Sequence, residues 1–200
     1  VTKRENVDAA VRIARENYPV LSVRPFRALK AAVIITGSEI YYGRIKDAFE
    51  PILDAKLKRY GAKKLGCTKC PDDAAMIVAA IESHVNQGAE LILLTGGMSV
   101  DPDDVTPTAI RRTGARAAVQ GVPMQPGNML NIAYLGKTVL IGVPGASMHS
   151  PVTSLEVFLP RIFAGIEISA EEIAGYGEGG LCLGCKVCTF PKCGFGVYRA

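Results

Sequence analysis

Residues 95–107 read TGGMSVDPDDVTP: two glycines close an apolar run, and three aspartates then fall within four positions. Gly96 and Gly97 carry no side chain to hold an anion off the backbone, and successive N–H groups in such a turn are natural donors to phosphate. Carboxylates are hard oxygen ligands. Beside a phosphate they suit Mg2+, which takes one or two of them and completes its shell with water and substrate oxygens. Two other turns have the same form, TGSE over 36–39 and VPGAS over 143–147. The candidate anion contacts are therefore Thr36, Gly37, Ser38, Thr95, Gly96, Gly97, Met98, Ser99, Pro144 and Gly145. Glu39 lies in the first turn, Asp72 and Asp73 open a later helix pattern, and Asp101, Asp103 and Asp104 follow the second turn. One glycine after a strand is ordinary punctuation, and one aspartate at a helix start is an ordinary cap. Three similar turns and a triple aspartate ask for more than that.

A second constellation is CLGCKVCTFPKC, which places Cys182, Cys185, Cys188 and Cys193 within twelve residues as C-x2-C-x2-C-x4-C. Such spacing points to a metal centre. Its opening is like iron–sulfur ligation of the 4Fe-4S type, and a four-thiolate Zn2+ site is the alternative. The GEGG before it reads as flexible chain able to wrap a cluster. Cys67 and Cys70 form a separate pair that cannot complete a tetrahedral site by itself. Buried thiols and a ligand pair reaching the tail or another protomer both remain open. His84 sits in a helical pattern and reads as structural or surface; His149 follows VPGASM near a candidate pocket.

These residues need elements to position them. AAVIITG and AELILLTGG read as fully buried strands, with AKKLGC a weaker one and ARAAVQGVPM and KTVLIGVPG two more. Helical spacing runs through 3–17, where Val7, Ala10, Val11 and Ala14 share a face, and through 44–61, 74–88, 104–113, 152–165 and 169–177. Residues 19–30 read as a linker. Alternating strands and helices predict parallel βαβ units and an α/β fold, a three-layer α/β/α sandwich with a mostly parallel sheet. In such folds the strand-terminal turns meet at the carboxyl edge, where ligands bind.

Composition narrows the setting. The chain has 200 residues, 48% hydrophobic and 21% charged, enough for one main domain. Trp is absent, aromatics are 6%, and a net charge of +4 comes without a basic stripe, so a nucleic-acid partner is not expected. No apolar run reaches the length of a membrane span, and the polar, amphipathic N-terminus is not a secretion signal, so a cytoplasmic setting is expected. The chain begins with Val, which reads as a piece cut from a longer protein.

TGSE, PDD, TGGMSVDPDDVTP, PGN and GVPG, in that order, resemble the molybdopterin-binding domain shared by molybdopterin molybdotransferases, molybdopterin adenylyltransferases and gephyrin-like proteins. The resemblance covers about residues 30–165. It implies a division into an N-terminal helix and linker (1–29), the binding domain (30–168), and a short helix with the cysteine tail (169–200). It also implies molybdopterin, or its adenylate, on the glycine turns, with Pro126 and Gly127 of the PGN piece among the contacts. Glu39, Asp73 (or Asp72) and Asp104 become the acidic residues of an Mg2+-dependent molybdate insertion, and a homo-oligomer, dimer or trimer, becomes the expected assembly. Ser99 followed five positions later by Asp104 is nearer the molybdotransferase form, since adenylyltransferases more typically carry TGGTG. Two departures bear on activity: Gln125 and Asn128 stand where transferases usually carry lysines, and PGAS replaces PGNP. A charged donor to phosphate is worth about twice a neutral one, so binding is the firmer expectation. A carrier, sensor or interaction domain with an iron–sulfur or zinc centre is the alternative.

Overall fold

KAAVIIT and LILLT have no polar face, and their surroundings explain it. A computed structural model describes residues 2–19, 21–98 and 105–198. Among these, six strands form one sheet: β1 (Lys30–Thr36), β2 (Lys63–Cys70), β3 (Leu91–Thr95), β4 (Arg116–Gln120), β5 (Asn131–Leu135) and β6 (Thr138–Val143). Their spatial order is β2-β1-β3-β6-β5-β4. The first four in that order run parallel, and β5 runs antiparallel to both its neighbours.

Both faces of the central strands are covered. Ala31, Val33 and Ile35 of β1 and Leu91 and Leu93 of β3 join one core; Ala32 and Ile34, with Ile92 and Leu94, join the other. Successive side chains on a strand point to opposite faces, so a strand buried on both sides must be apolar throughout. The first core is closed by α3 (Phe49–Arg59) and α6 (Ser154–Phe163), through Leu53, Leu57, Phe158 and Phe163. The second is closed by α4 (Ala74–Asn86) and α5 (Thr106–Arg112), through Ile77, Ile81 and Ile110. The expected three-layer sandwich is present.

Local chemistry sets the boundaries. Asp73 caps α4, its carboxylate accepting from the Met76 N–H at 2.9 Å. Ser169 caps α7 (Ala170–Ala174) in the same way, through the Glu172 N–H. Thr153 and Glu156 form a capping box at the start of α6, which holds its helical form past Pro160 because Leu159, Ile162 and Phe163 are all buried. α2 (Ser38–Tyr41) is a single turn after Gly37, and a 3-10 turn covers Gly145–Met148.

The structure departs from the sequence expectation at β5 and at β2. NIAYL is a strand that the pattern of alternating helices hid: β5 and β6 form a hairpin, with Leu135 opposite Thr138 and Gly136 at φ +58°. A two-residue connection of that conformation joins antiparallel neighbours and leaves no room for a crossover helix. β2 extends beyond AKKLGC to Cys70. α1 (Arg4–Glu16) forms as expected, yet none of its residues is buried; Val7 is 48% and Val11 43% exposed. No described helix is long and apolar enough to cross a membrane.

His84 on α4 is structural. It is buried, and its Nε2 lies 2.9 Å from the Thr68 hydroxyl. Burial holds its pKa below the ordinary 6.5, because a charged imidazole would lose its hydration. The unfolded chain therefore binds a proton on this residue at a pH where the folded chain does not. Stability is full above pH 6.5 and falls as pH drops below it. Denaturation followed by circular dichroism at pH 7.5 and at stepwise lower pH should show that loss, and His84→Gln should flatten it; an equal slope in the variant contradicts the assignment.

Candidate functional site

The parallel strands end side by side: Thr36 pairs with Cys70, Ile35 with Thr95, and Thr95 with Val143. The turns that follow are therefore neighbours. Between the ends of β3 and β6 lies a cavity of about 350 Å3. Gly96, Gly97 and Met98 form one wall and Pro144, Gly145 and Ala146 another; Asn128 and Met129 close a third side and Phe49 of α3 the fourth. Among these lining residues Asn128 has the only hydrogen-bonding side chain, so the polar contacts of a ligand here fall largely to the backbone.

Hydroxyls fix the floor of this edge. The Thr36 Oγ1 donates to the Thr95 carbonyl at 3.2 Å, lies 3.0 Å from the Thr106 Oγ1, and the Thr106 hydroxyl donates to the Gly96 carbonyl at 2.8 Å. All three threonines are buried. Thr36 and Thr95, expected as ligand contacts, thus lie beneath the turn and tie β1, β3 and α5 together. Gly96 passes so close that an added Cβ would meet the Thr36 carbonyl oxygen at 2.0 Å, and its φ is +92°. Met98 is tucked against β6, where Gly142 leaves it room: a Cβ there would meet the Met98 Cε at 2.2 Å.

The other two walls are held from α6. Ser154 donates to the Gly127 carbonyl at 2.6 Å, and its N–H donates to Pro126 O at 3.1 Å. Gly127, at φ +107°, leaves space for Ser154, whose Oγ would be 2.4 Å from an added Cβ. Ser147 and Thr153 hydroxyls sit 3.1 Å apart, Glu156 accepts from Thr153, and Lys56 of α3 pairs with Glu156. Both members of that ion pair are largely buried, at 14% and 7% exposure, so losing one would strand the other. Sequence reasoning missed this chain of contacts. The T-x-x-E capping box over 153–156 was its visible signal; Phe49, Met129 and Ala146 gave none.

The acidic residues fall at a different part of the edge. Glu39, Asp72 and Asp73 are exposed and outside the lining of the cavity. Asp72 faces the TGSE turn, accepting from the Ser38 N–H at 2.8 Å while its own N–H donates to Ser38 Oγ at 3.2 Å. Asp73 is occupied as the α4 cap. Ser99, Asp101, Asp103 and Asp104 lie outside the described residues. His149 is exposed and is not part of the cavity wall.

The cysteines correct two expectations. Cys67 packs with the first core and Cys70 with the second, as their odd separation on β2 requires, so they cannot chelate together. Burial, with Glu50 nearby, pushes the Cys67 thiol up to about 12. Among the described residues no three His, Cys, Asp or Glu side chains are gathered to hold a metal ion, the tail included. Cys182 and Cys193 pack against the core while Cys185 and Cys188 face solvent, and all four are free. GEGG does not behave as a loose wrap: an added Cβ on Gly180 would meet Pro123 O at 2.0 Å, and one on Gly179 would meet Val197 O at 2.4 Å.

A mostly parallel sheet with glycine turns and a cavity at its carboxyl edge defines a ligand-binding α/β domain. Residues 32–164 match the family described as "Probable molybdopterin binding domain", and the chain belongs to that family. It is 29% identical over 146 residues to a molybdopterin molybdenumtransferase of Synechococcus elongatus, covering 68% of this chain and 36% of that protein. It is 32% identical over 96 residues to a CinA-like protein of Mycobacterium leprae, covering 48% of this chain and 22% of that one. The chain thus spans about a third or less of these relatives. The fold matches that of the molybdopterin biosynthesis enzyme MoaB from Thermus thermophilus, with a TM-score of 0.54 at 16% identity, covering 68% of this chain and 97% of that one.

Two glycines of the same cavity should respond oppositely to one substitution. Gly96→Ala should cost roughly 3 kcal/mol, from a positive φ and a backbone clash. Gly145→Ala, where an added Cβ meets nothing within 4 Å, should stay within roughly 0.5 kcal/mol of the parent. Urea denaturation read by circular dichroism compares them; equal costs would contradict the packing described.

Proposed function

We propose that the chain binds molybdopterin or its adenylate in the cavity between Gly97, Asn128 and Gly145, as part of molybdenum cofactor synthesis or handling. The observation that carries this reading is the meeting of the TGG and VPG turns and the PGN segment around one cavity at the carboxyl edge. The walls supply apolar surface for a flat pterin ring, and the glycines let its phosphate reach backbone N–H groups. Asp104, which follows the same turn in sequence, is the acid we assign to an Mg2+-dependent exchange of adenylate for molybdate; Glu39 and Asp72 supply carboxylates at the adjoining edge, and Asp73 holds α4 in place. We place the reaction in the cytoplasm, with the protomer in a dimer or trimer.

A second reading, a carrier that binds the pterin without transferring molybdate and bears a metal centre on its tail, is favoured by one feature. The described cavity wall contains no Lys or Arg, and Gln125 and Asn128 are neutral.

Titration with molybdopterin in the presence of Mg2+ should show saturable binding to the native chain. Gly145→Leu, placed where an added Cβ meets nothing within 4 Å, puts a larger side chain at the cavity wall and should abolish binding at unchanged thermal stability; binding that survives this variant removes the cavity from the reading. With the adenylate and molybdate, Asp104→Asn should retain binding and lose product formation. Product at the parental rate excludes Asp104 from the chemistry, and binding without product in the parent establishes the carrier.

A further inference from the structure

The tail cysteines share one space. Cys182, Cys185, Cys188 and Cys193 all line a single cavity of about 360 Å3. Its remaining surface is mainly apolar, with Val152, Leu181, Leu183, Phe190 and Phe195 on its walls. The cavity is also anchored. Gln125 forms a parallel bridge with Leu181, the Cys182 N–H donates to the Gln125 carbonyl at 2.8 Å, and the Gln125 N–H donates to Gly180 O at 2.6 Å. Pro126 and residues 150–152 belong to its lining, and both are close in sequence to Asn128 and Ala146 of the other cavity.

Four cysteines around one cavity bear on which metal group they could hold. A structural Zn2+ ion draws four sulfurs around one point at about 2.3 Å. Here the four are spread around a cavity and no three converge on a point. A cubane cluster sets its thiolates farther apart, because each binds a different iron and the iron–sulfide core lies between them, and a cavity ringed by four cysteines gives that core a place. Two of the thiols, Cys182 and Cys193, are set against the core. The other two, Cys185 and Cys188, are exposed. Four thiolates leave such a cluster with net negative charge, and Lys186 and Lys192 lie within the same twelve residues.

We propose that these four cysteines ligate a 4Fe-4S cluster in this apolar cavity. The assignment deepens the metal-centre part of the carrier reading, and its test makes no use of pterin. The full chain, purified anaerobically and reconstituted with ferrous iron and sulfide, should carry about four irons and four acid-labile sulfides per chain, with a visible charge-transfer band that bleaches on reduction. The double variant Cys185→Ser, Cys188→Ser alters only exposed positions; it should keep the parental far-ultraviolet spectrum and lose the band, the iron and the sulfide. Cys67→Ser should change none of them. Uptake of one zinc ion at the tail with no iron or sulfide overturns the proposal, as does undiminished iron and sulfide in the double variant. A chain that binds pterin but takes up no cluster contradicts this assignment alone, and a chain with the cluster but no pterin binding contradicts the pterin reading alone.

Discussion

The carboxyl edge of the sheet depends on how closely the chain after β3 passes the end of β1. At Gly96 the separation admits a hydrogen and excludes a methyl group, because an added Cβ would fall 2.0 Å from the Thr36 carbonyl oxygen. Two buried threonine hydroxyls hold that contact: Thr36 satisfies the Thr95 carbonyl, Thr106 satisfies the Gly96 carbonyl, and the two hydroxyls lie 3.0 Å apart. The turn over β3 is thereby rigid at its base. Its next residues, Gly97 and Met98, become the wall of a cavity, and a preformed wall spares a ligand the cost of ordering it.

From that point the rest of the arrangement follows by layers. Helices on both faces bury β1 and β3 completely and leave their ends as the accessible part of the sheet. The Lys56–Glu156–Thr153–Ser147 chain fastens the turn after β6 to α3 and α6, and Ser154 fastens the PGN turn to the same helix start. One helix N-terminus thus positions two of the cavity's walls. The cysteine tail is tied to the chain just before the PGN turn through Gln125, whose carbonyl accepts from the Cys182 N–H.

Much of this could be read from sequence, and the parts that could not have physical reasons. Continuous apolar runs revealed β1 and β3 because two-sided burial leaves no alternative composition. The hairpin of β5 and β6 was masked because NIAYL and KTVLIG are short, apolar and separated by only Gly136 and Lys137, a join that resembles the interior of one segment. Glycine turns pointed to the right edge. Which of their side chains face a ligand was beyond reach: Thr36 and Thr95 look like phosphate donors in one dimension, whereas in the fold both are buried and the Thr36 hydroxyl is spent on the Thr95 carbonyl. The adjacent aspartates of PDD look equivalent, yet a single step along the chain makes Asp72 a partner of Ser38 and Asp73 a helix cap. C-x2-C spacing at 67–70 left buried thiols and a ligand pair equally open, and β2 decides it by running through both and sending the two thiols to opposite faces.

The most direct test of the central claim is a crystal structure of the chain with a phosphorylated pterin bound. The account predicts the ring between Phe49, Met129 and Ala146, with the phosphate against the backbone of Gly97 or Gly145. A ligand seated elsewhere, with this cavity unchanged, would contradict it.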